Sequence, residues 1–357
     1  MKILHTESSI GWGGQEHRTL KEMRVLRARG HQMFLLVRPQ ADFIKRAEEE
    51  GFTVFKIPAR NAWDHVAFCK TLALLKRENF DIVNTHSGHD SILAGLAARV
   101  AGVPLVIRTR HLALPVTSLF SYKHIAHRVI TVSRWVEKYL VERGLPHNRV
   151  ATIYTAIEPP PDIQQSTLRA ELGLKDDDVL VATVAILRHE KGHKDLIEAA
   201  RPLFERYPKL HLIFAGDGPI FEELKAFIAA FNLQKRIHLL GLRRDIPNVL
   251  KGCDFFALAT HQEALGTSFI EAMAMGLPAI GTAVDGVPEV ITDGKTGLLV
   301  AAHNPESLRN ALIRLIESPD ERNKMGKSAQ QDVLSRFGLD TMATNLENFY
   351  TQHLPPK

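Results

Sequence analysis

Two carboxylates eight positions apart, Glu263 and Glu271, frame the stretch of this chain that is richest in chemistry. Between them Gly266, Thr267 and Ser268 form a small turn that runs into the apolar segment 269–275. A helix opening on such a turn presents unpaired backbone N–H groups and the positive end of its dipole, a setting that suits phosphate. Glu271, about a turn inside, would reach hydroxyls on whatever carries the phosphate. A buried helix capped by Thr267 or Ser268, with Glu271 merely solvated, would use the same residues.

A second group lies upstream, where Arg188, Lys191 and Gly192 follow a β-rich run. Two cations ahead of a helix suit a diphosphate and would neutralise charge that builds as it leaves. The segment 189–193 also spells HEKGH, the zinc-protease pattern, which requires both histidines on one helix face. Here it straddles a turn at Gly192 and no third ligand is evident, so no metal site is expected. His86 and His111 each close a strand pattern, and strand ends are where α/β folds keep their sites. Gly11, Trp12, Gly13 and Gly14 follow the first strand pattern and precede a helix; glycine there permits close backbone approach to a ligand. Glu16 stands where a dinucleotide fingerprint needs its last glycine, so a plain strand–helix turn is equally compatible. The 294–296 Gly-Lys-Thr triplet lacks the first glycine of a P-loop, and the aspartates 176–178 read as a solvated turn.

The elements that must position these groups alternate along the whole chain. Strand patterns at 2–6, 33–37, 53–57, 82–85, 105–108, 129–131 and 150–153 are separated by helical patterns such as 15–29, 41–50, 63–77 and 91–100. Three prolines at 159–161 break the series, as no helix interior or central strand admits them. It resumes with strands at 179–187, 210–214, 237–239, 255–258, 278–281 and 297–300, and helices at 195–206, 221–231, 269–275, 305–317 and 321–336. Such alternation predicts an α/β protein of two Rossmann-like, doubly wound parallel-sheet domains facing a cleft. The expected bounds are 1–160 and 161–338, with 339–357 packing back on the first domain.

The chain's 357 residues are too many for one ordinary core, and 45% hydrophobic with 24% charged residues is a soluble composition. No apolar run is long enough to cross a membrane, and the N-terminus has no secretory pattern. Two unpaired cysteines fit a reducing cytoplasm. Residues 1–160 hold 23 Lys and Arg against 14 Asp and Glu, and the rest 22 against 26, so the positive charge belongs to the first half. No nucleic-acid motif accompanies it, and anionic lipid or phosphate is the expected partner.

The spacing Glu263-x7-Glu271, the Lys191-Gly192 turn, Gly216-Asp217-Gly218-Pro219 and Gly286-Val-Pro-Glu289-Val resemble the retaining glycosyltransferases of family 4, which have the GT-B fold. The likeness spans nearly the whole chain. Thr85-His86-Ser87, Arg108-Thr-Arg-His111 and Gly266-Thr-Ser268 bring it nearest to bacterial envelope-sugar enzymes. The resemblance implies that Glu271 holds the ribose of a nucleotide sugar and that Gly266, Thr267 and Ser268 hold its phosphates through backbone N–H. Arg188 and Lys191 would clamp the diphosphate, Glu263 would touch sugar hydroxyls, and Leu242 with Arg243 would line the base pocket. Gly13 and Gly14 would face phosphate and acceptor, His86 the donor sugar near its reacting carbon, and His111 the same cleft. Two departures stand out. Ile186 occupies the position of the family's arginine, so Arg188 is assigned its task, and Tyr154-Thr-Ala156 replaces a Pro-Asn-Gly stretch.

The implied reaction moves a sugar, with retention and without metal or other cofactor, from a UDP- or GDP-linked donor. Its acceptor would be lipid-linked or an envelope glycan, as in lipopolysaccharide or polysaccharide assembly. The mixed apolar and basic stretch 112–128 would suit the inner face of the cytoplasmic membrane, or equally an ordinary loop and helix. A sugar-nucleotide epimerase of the same fold and a non-catalytic scaffold are the rival classes.

Overall fold

The computed structural model describes residues 1–355. Its contacts divide the chain into two compact units, one of residues 1–156 together with the segment from Leu339 onward, the other Ile157–Gly338. The division falls ahead of the proline run, because Ile157 already pairs in parallel with Gly338.

The first unit holds a seven-stranded sheet of β1 (Lys2–Glu7), β2 (Gln32–Val37), β3 (Thr53–Lys56), β4 (Ile82–Thr85), β5 (Leu105–Arg110), β6 (Arg128–Thr131) and β7 (Val150–Thr152). The order is β3-β2-β1-β4-β5-β6-β7 and every pairing is parallel. Helices cover both faces, so the inner strands read as nearly continuous apolar runs. Buried polar residues interrupt these runs, among them His5 in β1 and Asn84 in β4, which stand opposite each other in register. The helix Leu339–His353 belongs to this unit. Arg29 reaches Asp340 and Glu347, and buried Tyr350 donates to Glu22 of the helix Gly14–Ala28.

The second unit holds six parallel strands, β8 (Val179–Val184), β9 (Leu210–Ala215), β10 (Ile237–Leu239), β11 (Phe255–Leu258), β12 (Ala279–Thr282) and β13 (Gly297–Val300). Their order is β10-β9-β8-β11-β12-β13. Each sheet therefore reverses its winding once, between β1 and β4 and between β8 and β11, and doubly wound sheets open a crevice at the carboxyl ends of such strand pairs.

Two local expectations need correction, and one helix is new. The strand expected over 179–187 stops at Val184, because residues 185–188 turn to meet the segment after β9 through the Leu187 N–H and the Asp217 carbonyl. The helix expected over 195–206 is two pieces, His193–Ala200 and Leu203–Arg206, separated at Pro202, whose ring cannot continue an α-helix. The helix Arg134–Glu142, started by Ser133 accepting from the Val136 N–H, had no counterpart in the sequence reading.

Candidate functional site

In the second unit the sequence-selected cations and carboxylates gather at the carboxyl ends of β8 and β11, the winding reversal. After β8 the chain makes a short 3-10 turn, His189–Lys191, and reaches Gly192 with φ +65°. A Cβ on Gly192 would lie 1.9 Å from the Ala259 carbonyl oxygen, so only glycine lets this turn rest on the end of β11. The His261 N–H then donates to the Glu190 carbonyl at 2.7 Å, and the Thr260 hydroxyl donates to the same oxygen at 3.1 Å. This pinning brings together Lys191 and Glu263, Nζ to Oε2 at 2.6 Å, with both side chains 17% exposed. Glu263 is itself held at its backbone, its N–H donating to Asp285 at 2.9 Å and its carbonyl accepting from the Gly286 N–H at 3.0 Å. Burial, then the Glu263 carboxylate nearby, pushes the Asp285 carboxyl up from its ordinary value.

The helix Thr267–Ala274 starts at Gly266, whose φ of +93° suits glycine, and no side chain caps this end. The alternative in which Thr267 or Ser268 caps the helix is thus not the arrangement found. Phe269, Ile270, Ala272 and Met273 bury the helix in the core, which anchors its amino end, while Thr267 stays exposed and Glu271 half-buried. Arg188 is loosely held, 53% exposed and 3.8 Å from Glu190. Arg243, by contrast, is engaged by Glu171 at 2.9 Å and Asp245 at 2.6 Å, and these bonds raise its pKa and depress that of Asp245. Leu242 beside it is 73% exposed.

In the first unit His86 and His111 meet, Nδ1 to Nε2 at 2.9 Å, and a third imidazole that sequence reasoning did not select joins them. His5 Nδ1 lies 2.8 Å from His86 Nε2, with the rings stacked 17° from parallel. His86 is 3% exposed and both its nitrogens are taken by neighbouring imidazoles; His111, half-buried, is the outer member. Burial, together with the neighbouring imidazoles and Arg18, holds His86 well below the ordinary histidine range. Burial, Arg18 and Arg110 do the same for His111. Asp90 orders the end of β4, accepting from the His86 and Ser87 N–H groups at 2.8 Å each and from the Thr6 hydroxyl at 2.7 Å. Beside it, burial and the Asp90 carboxyl push Glu7 up to about 8. Gly13 and Gly14 are exposed at the head of the helix Gly14–Ala28, and Glu16 folds back to accept from the Gly13 N–H at 2.8 Å. Glu16 is therefore a capping residue, which accounts for its standing where a fingerprint glycine would be.

The HEKGH segment does not build a metal site. His189 is exposed and pairs with Glu223, whereas His193 is buried edge-on against Phe214. A different group, Asp195, His261 and His303, brings one ligand atom from each residue within 4.8 Å, with Asp195 and His261 already in contact at 2.6 Å. The signal for it was out of reach of a linear reading, because its members follow three different strands.

Residues 12–159 match the Glycosyltransferase Family 4 description and residues 164–332 match Glycosyl transferases group 1. The UDP-Gal:alpha-D-GlcNAc-diphosphoundecaprenol alpha-1,3-galactosyltransferase of Escherichia coli is 26% identical, over 98% of this chain and 96% of that protein. Among solved structures, a glycosyltransferase of Rickettsia africae ESF-5 superposes with a TM-score of 0.91 at 22% identity, covering 100% of this chain and 99% of that one. Anabaena Alr3699/HepE, crystallised with UDP, superposes with a TM-score of 0.86 at 21% identity over 99% of this chain and 100% of that one.

Proposed function

Given that this chain belongs to the family 4 glycosyltransferases and carries their group 1 domain as its second half, we propose that it transfers a sugar from a uridine-diphosphate donor to a lipid-linked or envelope-glycan hydroxyl, with retention at the anomeric carbon. The observation that carries this reading is the Lys191–Glu263 pair set beside the uncapped amino end of the helix Thr267–Ala274, at the winding reversal of the second sheet. The name of the Escherichia coli relative supports both the uridine donor and the lipid-diphosphate acceptor.

In this mechanism the bond between the anomeric carbon and the β-phosphate oxygen breaks first. The leaving diphosphate collects negative charge, which Lys191, Arg188 and the amides at Thr267 and Ser268 stabilise in place of water. The acceptor oxygen bonds to the anomeric carbon on the face being vacated, and its proton passes to the departing phosphate oxygen. Glu271 accepts hydrogen bonds from the ribose, Glu263 from hydroxyls of the sugar, and Leu242 with Arg243 flanks the base. Gly13 and Gly14 leave room for the acceptor at the head of the helix Gly14–Ala28. In the first unit His111, and not the enclosed His86, is the imidazole open to a sugar hydroxyl. No metal has a role in these steps, because the cations and helix amides supply the positive charge. Among the described residues no helix is long and apolar enough to cross a membrane. The exposed Leu112, Leu114 and Phe120, near Arg110 and Lys123 in sequence, instead support contact with an anionic membrane surface at the cytoplasmic face.

Incubation with UDP-sugars and an undecaprenyl-diphosphate sugar, followed by NMR of the product, tests the proposal. An axial anomeric proton coupling inverted relative to the donor, or turnover abolished by chelator, would overturn the mechanism. Free sugar released without acceptor would turn the assignment to an epimerase-like reaction.

A further inference from the structure

The His5–His86–His111 chain does not stop at His5. His5 Nε2 points toward Glu22, 3.9 Å from Oε1, and is otherwise without a hydrogen-bond partner. That separation is too long for a hydrogen bond, yet short enough for a carboxylate to orient an N–H dipole in a dry interior. Glu22 is an acceptor already: Tyr350 donates to Oε1 at 3.1 Å and Asn84 Nδ2 approaches it at 3.5 Å. Arg18 Nε lies 3.9 Å from the other oxygen, and His5, Arg18 and Glu22 are all 1% exposed or less.

A neutral imidazole carries one N–H and one lone pair, so three of them in a row have only two consistent arrangements. In one, every Nε2 bears the hydrogen: His111 donates to His86, His86 to His5, and the last N–H points at the Glu22 carboxylate. In the other, every Nδ1 bears it, and His5 then aims a bare lone pair at that carboxylate, which is repulsive. Placing a proton on both nitrogens of any ring would bury a second cation beside Arg18.

We infer that Glu22, His5 and His86 are positioning residues that fix His111 as its Nε2–H tautomer, leaving Nδ1 as a hydrogen-bond acceptor at the outer end of the chain. For a sugar-transferring enzyme such an atom accepts from a donor or acceptor hydroxyl, and this last step rests on the function proposed above. An anionic or carbonyl group would be turned away by the same lone pair. The Asp90 network, built on the same strand ends, holds the backbone of His86 and so the register of the relay.

The experiment is a long-range 1H–15N correlation spectrum of 15N-histidine-labelled protein, with His111→Gln supplying the assignment. The wild type should show a protonated Nε2 and an unprotonated Nδ1 at His111. Glu22→Gln, whose amide can donate to His5, should shift the population toward Nδ1–H. His5→Leu, which cuts the wire should Glu22→Gln fail to fold, should leave a mixture. A wild-type His111 protonated at Nδ1, or a tautomer unchanged in the folded variants, would overturn the inference. These spectra need no substrate, so a protein that transfers no sugar would sink the functional reading and leave this one decided separately. Where transfer is measured, Glu22→Gln should lower turnover roughly ten-fold, the loss of about one hydrogen bond, with UDP affinity unchanged.

Discussion

Replacing Lys191 with methionine keeps the aliphatic stem and removes only the charge. Two effects follow from one geometry, in which Nζ sits 2.6 Å from Glu263 Oε2 with both side chains 17% exposed. The first is on stability, because the Glu263 carboxylate is left largely buried without its cation. Exposed pairs contribute about 0.2–1 kcal/mol and fully buried ones strand a charge at about 3–5 kcal/mol. This pair lies between, so a loss of about 1–2 kcal/mol is expected. For a unit of this size that lowers its melting temperature by roughly 2–8 °C. The second effect is on the donor: a charge-assisted bond to phosphate is worth about 1.5–3 kcal/mol, so UDP affinity should fall roughly 10- to 150-fold. A double-mutant cycle separates the two. Adding Glu263→Gln should return most of the lost stability, since no charge is then stranded, and none of the UDP affinity. Calorimetric titration with UDP and thermal denaturation of the four proteins supply the numbers. Lys191→Met binding UDP within two-fold of wild type, or recovery of UDP binding in the double variant, would refute the assignment of Lys191 to the diphosphate.

Gly192→Ala should fail locally, since its Cβ would sit 1.9 Å from the Ala259 carbonyl oxygen; a stability loss above ~3 kcal/mol in urea titration, with UDP binding lost, is expected. Glu271→Ala should keep the fold and abolish the rise in melting temperature that UDP produces in the wild type, by mass action on the folded state. Glu7 gives a pH signature of defined sign. Its carboxyl is raised from 4.5 to about 8 in the folded protein, so the native state retains a proton that the unfolded chain has released. The associated stability is complete below pH 4.5 and is lost as pH rises through 8, at up to about 1.4 kcal/mol per pH unit. Glu7→Gln should flatten that slope in urea melts between pH 5 and 8, and an unchanged slope would place the titration elsewhere, with Asp90 the first alternative.

Much of the architecture was legible without coordinates, for a physical reason. Hydrophobic period and turn chemistry act over a few residues, so β4, β11 and β13 could be bounded from sequence to within a residue, and helices ended where glycine or proline required. The errors lie where a distant segment intervenes: β8 stops early because residues 185–188 meet the turn after β9, and the 195–206 helix is interrupted at Pro202. The elements of the proposed anion site were also visible in the sequence, because a glycine turn, a helix start and paired carboxylates lie within one short stretch.

What sequence could not supply is adjacency. Lys191 and Glu263 are 72 positions apart and His5 and His86 are 81, and each pair meets only because β8 pairs with β11 and β1 with β4. His5 read as one polar residue inside a strand, and Glu22 as one charge on a helix. Sheet order turned them into the inner end of a histidine chain and moved the accessible position from His86 to His111. The residue types, and hence the chemistry available, are local properties of the chain; which of them are buried, paired and protonated follows from long-range strand order, the one thing a linear pattern does not encode.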